Sequence, residues 1–217
     1  KLNEKRYIKS SIIILCASGI GSPRIMLNSK NKFSKKGLAN SSGLVGKNLM
    51  LHPWGFVQGR YSKYLGSHYG PEGCCIASHE FYETSKKQIF KRGYSIQVLR
   101  GPGPIETYNF LSKLRKIKLS KNFMKTFKKY FGKLIPLAII CEDLPSKKNY
   151  LELDNNAKDT NGIPGVKINY KLSQNTKKML AHGLSRGKEI LKKSGAKDII
   201  AYGPLKHVGW HIFGTTI

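Results

Sequence analysis

Apolar positions along this 217-residue chain recur with two spacings. Alternating or short apolar runs bounded by turn residues predict strands over 9–17, 54–61, 94–100, 137–142, 150–154 and 166–170. The first of these, Lys9 to Ala17, is rich in β-branched residues and predicts a buried strand, closed by Ser18-Gly19-Ile20-Gly21. Ser22 then suits an N-cap and Pro23 the first helical position, so the beginning reads strand, glycine turn, short helix. Such a turn points backbone N–H groups past the carboxyl end of the strand, where phosphates commonly bind. Gly19-x-Gly21 starts like a dinucleotide fingerprint, but position 24 is Arg and the third glycine is missing.

The helical spacing appears twice more. Between Leu111 and Leu134, Phe123, Phe127 and Phe131 recur every fourth residue among Lys121, Lys125, Lys128, Lys129 and Lys133. This predicts an amphipathic basic helix that packs its Phe stripe on a sheet and leaves its Lys in water. Ser173 to Ser194 predicts the longest helix, with Ser173 as N-cap, Leu180, Leu184, Ile190 and Leu191 along its apolar side, and Gly195 as terminator. The Gly, Asn and Ser of 30–53 predict an ordered, irregular connection. Residues 155–162 resemble a calcium loop, yet the twelfth position from Asp154 is Gly165 where a bidentate Glu belongs, so a hairpin loop is expected. The fold class is α+β: an antiparallel-sheet domain with helices on one face.

Composition changes this picture little. Apolar residues at 40% and aromatics at 10% lie in the globular range. The longest apolar run, Ile12 to Ile20, is about half of the ~20 residues a membrane-spanning helix needs. With its basic start it imitates a signal peptide, but the run is short and Leu15 before Cys16 lacks a small-residue cleavage pattern. The net charge of +27 raises a second reading, a standalone Lys-rich module that binds nucleic acid or an anionic membrane. Only seven of the 39 cations are Arg, and the Lys are spread from Lys1 to Lys206, so a solvated surface is expected and nucleic acid is not. Cys16, Cys74, Cys75 and Cys141 form no C-x-x-C and no zinc spacing, so no metal site is expected. The chain has no initiating Met and stops directly after the apolar 210–213 segment, as an internal piece of a longer polypeptide would.

Among the histidines, His68, His79 and His182 read as surface or packing residues. His211 stands apart, in the glycine-bounded apolar segment Gly209 to Thr215, where an imidazole is partly desolvated. Five segments in order, Ala17 to Arg24, Gly43 to Pro53, Glu142 to Pro145, Asp159 to Pro164 and His211 to Thr215, together resemble the glucose-methanol-choline oxidoreductase family. These are flavoenzymes that oxidise alcohols with FAD; the resemblance is nearest to the choline-dehydrogenase-like and sugar-acid dehydrogenase branch.

The resemblance implies several roles. His211 matches the family's catalytic histidine, which takes the hydroxyl proton of a small-molecule alcohol, and Trp210 would flank that substrate. Ala17, Ser18, Gly19 and Ser22 match a turn that abuts FAD, whereas His52 would be structural. Residues 1–50 would be a remnant of an α/β FAD-binding domain, 51–204 the substrate-binding domain, and 205–217 the start of the C-terminal active-site segment. The family's G-x-G-x-x-G and its later Asn-Pro or His-Pro segment have no match here, so this chain alone is expected to bind flavin poorly. The pattern after Gly214-Thr215 also departs, with Thr216-Ile217 where a small residue and Arg-Met-Gly are usual. The particular alcohol and the electron acceptor stay open at this point.

Overall fold

The computed structural model describes residues 6–116, 122–205 and 210–216, with the side chain of Trp210 outside the described set. In chain order the elements are α1 (Ser18–Asn28), β1 (Met50–His52), β2 (Trp54–Arg60), β3 (Cys74–Ser78), β4 (Tyr94–Leu99), α2 (Pro104–Lys113), α3 (Phe123–Lys128), β5 (Leu134–Cys141), β6 (Tyr150–Lys158), β7 (Pro164–Asn169), α4 (Gln174–Lys193), β8 (Lys197–Tyr202) and β9 (Trp210–Phe213). The fold is α+β, as expected. The chain divides into two units, one of residues 1–50, 145–170 and 212–217, the other of residues 51–144 and 171–211.

The second unit is built on a five-stranded sheet in the order β3-β4-β5-β2-β8, antiparallel throughout. Side chains alternate across it. Val57, Ile96, Leu137 and Ile139 join Met179, Leu180 and Leu191 of α4 in one buried cluster. Trp54, Ala138 and Ile140 form a separate cluster on the other face, with Phe56 and Leu99 against it. At the far end of that second face, Phe110, Leu111, Tyr130 and Leu134 pack together, which seats α2 there. The helices therefore divide between the two faces instead of sharing one. The dividing device is register: Leu134 stands opposite Arg60, in step with Trp54 and Phe56, so whatever covers Leu134 covers the Trp54 side.

α4 lies close to the sheet because glycines line its contact. A Cβ on Gly183 would sit 2.4 Å from Ile139 Cγ2, and one on Gly187 2.9 Å from Val57 Cγ2. Ala would raise helix propensity at position 183 by about 1 kcal/mol, but pressing a methyl into a buried β-branched neighbour costs about 1–3 kcal/mol. Gly183→Ala is expected to lower the urea midpoint; a midpoint unchanged or raised would mean that the helix can lift without loss. The cap expected for α4 is present, since Ser173 Oγ accepts a hydrogen bond from the Thr176 N–H, and Gly195 follows at φ +88°. Ile190 does not lie on the packed side: it is 43% exposed, and Met179, Gly183 and Gly187 make the contact in its place.

The long basic helix is not formed among the described residues. α3 spans only Phe123–Lys128, and no residue of it is fully buried. Phe131 lies beyond its end, stacked on Phe127 with centroids 5.3 Å apart, and Gly132 at φ +73° turns the chain into β5. Three Phe at helical spacing thus pack on one another and on α2, where Phe123 meets Tyr108, and form no stripe on a sheet. Lys121 lies outside the described residues.

In the first unit, β6 and β7 form the expected hairpin, Tyr150 opposite Asn169 through Asp154 opposite Gly165, with a shift in register before Lys158. Its turn is an Asx-type loop in which Asp159 Oδ1 accepts from the N–H groups of Asn161 and Ile163. Arg24 of α1 donates to Asp159 Oδ2 and to the carbonyls of Pro164 and Ile163, which ties helix to hairpin. That guanidinium hydrogen bond, with the two backbone N–H groups, holds the Asp159 carboxyl below the usual range. The buried strand expected over 9–17 is absent. Ile12, Ile13 and Ile14 are 75–81% exposed, and no ladder bonds reach them from the described strands of this unit. β-branched composition makes a strand only where a neighbouring edge takes up its N–H and C=O groups.

Candidate active site

The helix expected to start at Pro23, with Ser22 as its N-cap, starts five residues earlier. α1 starts at Ser18, whose φ is +62°, and carries Pro23 inside it. A proline there has no N–H for the carbonyl four residues back, that of Gly19. The hydroxyl of Thr215 donates to that carbonyl at 2.5 Å instead, and Thr215 is almost fully buried. Gly19 is also where backbone meets backbone, since a Cβ there would lie 2.9 Å from the Ile212 carbonyl oxygen. Ser22 is buried with its Oγ accepting from the Ala17 N–H. Ala17, Ser18, Gly19 and Ser22 therefore form one compact turn, stitched by residues 212–215. The Thr of His-x-x-Gly-Thr has a structural task that the motif alone does not reveal.

In the second unit, the structure brings together two histidines that lie 159 positions apart. His52 ends β1, His211 lies on β9, and their Nδ1 atoms are 2.8 Å apart with ring centroids at 5.0 Å and planes near perpendicular. His211 holds φ +56°, a conformation uncommon for a residue other than glycine. The Trp54 ring stands edge-on to His211 at 6.1 Å. Nearby, Asp143 is buried and its Oδ1 accepts from the Leu144 N–H and from the Thr176 hydroxyl.

The partly desolvated imidazole expected at position 211 is found at position 52. His211 is exposed, whereas His52, on the other strand of the two-stranded β1–β9 ladder, is half-buried. Burial, then the neighbouring His211, lower the His52 pKa, and the Asp143 carboxylate acts in the opposite direction. His52 is held neutral to lower pH than in the unfolded chain. Its contribution to stability is thus present above about pH 6.5 and is lost as the pH falls toward the lowered folded value. In an NMR titration the His52 midpoint is expected below about 6.5, and His211→Ala is expected to move it upward by removing one of the two lowering causes. A His52 midpoint that does not respond to His211→Ala would contradict the pairing.

A bond between two Nδ1 atoms fixes complementary tautomers. One ring must donate Nδ1–H and keep its lone pair on Nε2, and the other must accept at Nδ1 and carry its proton on Nε2. His52, kept neutral, suits the acceptor role, and His211 would then donate its Nδ1–H and carry its lone pair on Nε2. Once His211 is protonated, its Nδ1–H bond to His52 becomes charge-assisted and about twice as strong. Sequence reasoning had His211 but assigned His52 only a structural part; its Leu-His-Pro setting carries no local sign of a partner 159 residues away.

The backbone of Trp210 lies on β9 beside His211, and its side chain lies outside the described residues. Among the described residues, no helix is long and apolar enough to cross a membrane.

Two known proteins are similar to this chain over almost its whole length. The chain is 35% identical over 214 residues to a 2-methyl-1,2-propanediol dehydrogenase of Mycolicibacterium austroafricanum, a match that covers 97% of this chain and 39% of that protein. It is 24% identical over 220 residues to the fructose dehydrogenase large subunit of Gluconobacter japonicus, covering 99% of this chain and 38% of that protein. No family model matches. Both relatives are dehydrogenases, and the chain spans about two fifths of the length of each. The relationship is to oxidoreductases.

Proposed function

We propose that this chain is part of an FAD-dependent alcohol dehydrogenase or oxidase of the glucose-methanol-choline type, with His211 as the general base. The observation that carries the reading is the 2.8 Å contact between Nδ1 of His52 and Nδ1 of His211. It supplies an oriented imidazole where the family resemblance calls for a proton acceptor. In this reading the chain holds a remnant of the FAD domain (1–50), the substrate-binding domain (51–204) and the start of the active-site segment (205–217). The substrate is a small alcohol, and the names of the two relatives, a diol and a sugar dehydrogenase, point the same way.

The α1 turn is compatible with the cofactor. Its helix has eleven residues, its first turn carries no acidic side chain, and its N-cap residue Ala17 makes no side-chain cap, a helix end whose dipole suits an anionic or carbonyl-bearing group. Ala17, Ser18, Gly19 and Ser22 would hold it there. FAD, when bound, supplies the two-electron acceptor. Nε2 of His211 takes the hydroxyl proton while the carbinol C–H leaves as hydride, and the alcohol becomes a carbonyl. His52 Nδ1 holds the base in its reactive tautomer throughout, and Trp210 flanks the substrate.

The test is to purify the polypeptide that carries this chain, release its cofactor by denaturation, and expose the native protein to alcohols without oxygen. Released FAD and loss of the flavin colour on adding alcohol are the expected results. A protein free of flavin that reduces a nicotinamide nucleotide with the same alcohols would overturn the reading.

A further inference from the structure

From 104 to 133, eight Lys and Arg115 stand against Glu106 alone, so 30 residues hold a net charge of +8 out of the chain's +27. Within this stretch α2 and α3 leave a groove of about 310 Å³ between them, lined by Pro104, Ile105, Tyr108, Phe123, Met124 and Phe127. No charged side chain enters it. Its rim is in water: Ile105 is 72% exposed and Met124 55%. Lys125 and Lys128 of α3 and Lys129 after it are exposed as well. Among the described residues no carboxylate pairs with these three, whereas Lys113 lies over the Tyr202 ring and Lys116 bonds Asp198. Apolar surface and unpaired cations thus stand side by side on one face.

We propose that this α2–α3 face docks on an anionic lipid surface, with Ile105 and Met124 entering the acyl boundary and Lys125, Lys128 and Lys129 meeting the headgroups. The proposal stands apart from the reaction assigned to His211 and uses none of its residues.

The choice of occupant follows from charge and shape. Each basic residue close to a negatively charged leaflet strengthens binding about fivefold. A Lys can lay its aliphatic stem along apolar surface while its ammonium reaches the headgroups. Exposed apolar side chains add to this by leaving water, and a fluid membrane needs no matching contour. A second copy of the same face would bring like charge against like. Nucleic acid is held by bases stacking on aromatic faces. Here the rings are engaged with one another: Phe127 stacks on Phe131, Phe123 lies against Tyr108 and Phe127, and the exposed rim is Ile and Met. A stable interface with an acidic protein takes about 20–30 residues a side, against the six that line this groove.

Sedimentation with vesicles tests this on the polypeptide that carries this chain. Vesicles of equal parts phosphatidylcholine and phosphatidylserine are expected to bind it about 100-fold more tightly than phosphatidylcholine alone, the combined factor for three basic residues. Replacing Lys125, Lys128 and Lys129 together by Gln is expected to remove most of that difference. The same change of charge at Lys177, Lys178 and Lys188, exposed on α4, is expected to alter binding by less than about threefold. Ile105→Ser and Met124→Ser, at exposed positions where folding is undisturbed, are each expected to weaken binding about 10-fold. No retention by the phosphatidylserine vesicles would overturn the proposal. So would equal losses in the two lysine triples, which would mean that net charge alone acts, or unaltered binding in both Ser variants. Tighter binding to a single-stranded polynucleotide or to an acidic protein than to the vesicles would give the face to another class of partner and overturn it too.

Discussion

Replacing His211 by Ala is expected to slow alcohol oxidation by about 10²–10⁴-fold in the polypeptide that carries this chain, the range for losing a positioned general base. The expectation rests on tautomer logic. In the proposed reaction His52 accepts at Nδ1, and Nε2 of His211 takes the hydroxyl proton. His52→Leu leaves that base in place but removes the group that orients it and that its imidazolium would bond. A loss of about 10–100-fold is expected there, since a hydrogen bond to a charged group is worth about 1.5–3 kcal/mol. Steady-state kcat for both variants checks the order. Equal losses would mean that the two rings act as one unit, and a larger loss at His52 would exchange their roles.

The largest effect expected on stability is at Ile139. Its side chain is fully buried at the centre of the sheet, opposite Gly55 on β2 and Ile96 on β4, and it fills the gap that Gly183 leaves beneath α4. Ile139→Ala removes this packing where the surrounding strands cannot collapse, and about 2–5 kcal/mol of the second unit's stability should be lost. Ile139→Val, one methylene smaller, should lose about 0.5–1.5 kcal/mol. Urea titrations of the two variants measure both. A loss below about 1 kcal/mol for Ala would show that α4 settles onto the sheet instead of resting on a fixed Gly183 contact.

The elements that the sequence announced are those whose cause is local. α4 carries its own start in Ser173, and β2, β4, β5 and the β6–β7 hairpin carry apolar patterns bounded by turn residues. β3 went unread because all five of its residues are exposed and nothing in Cys-Cys-Ile-Ala-Ser alternates; it is a strand because the edge of β4 is there to pair with. β8 follows α4 after a three-residue turn and is likewise a strand by virtue of the β2 edge. The same dependence on a partner explains Ile12 to Ile14, which have the composition of a strand and the exposure of a loop.

The site was legible on one side only. His211 could be singled out from its glycine-bounded segment and the family resemblance, and the α1 turn from its glycines. The pairing with His52 could not, because it is made by the β1–β9 ladder, whose strands of three and four residues give no periodic signal. Pro23 was read as a helix start since that is its commonest helical position. Here it sits inside the helix because the Thr215 hydroxyl takes the bond that its missing N–H leaves unmade.

The central claim is that a proton leaves the substrate hydroxyl to His211 as the alcohol is oxidised. Its most direct test is the pH dependence of anaerobic, single-turnover reduction by alcohol, compared between the wild-type polypeptide and His211→Ala. The account predicts a wild-type rate that rises with pH through one ionisation and levels off, and a far slower variant rate without that ionisation. The same ionisation, unaltered in position and amplitude in His211→Ala, would contradict it.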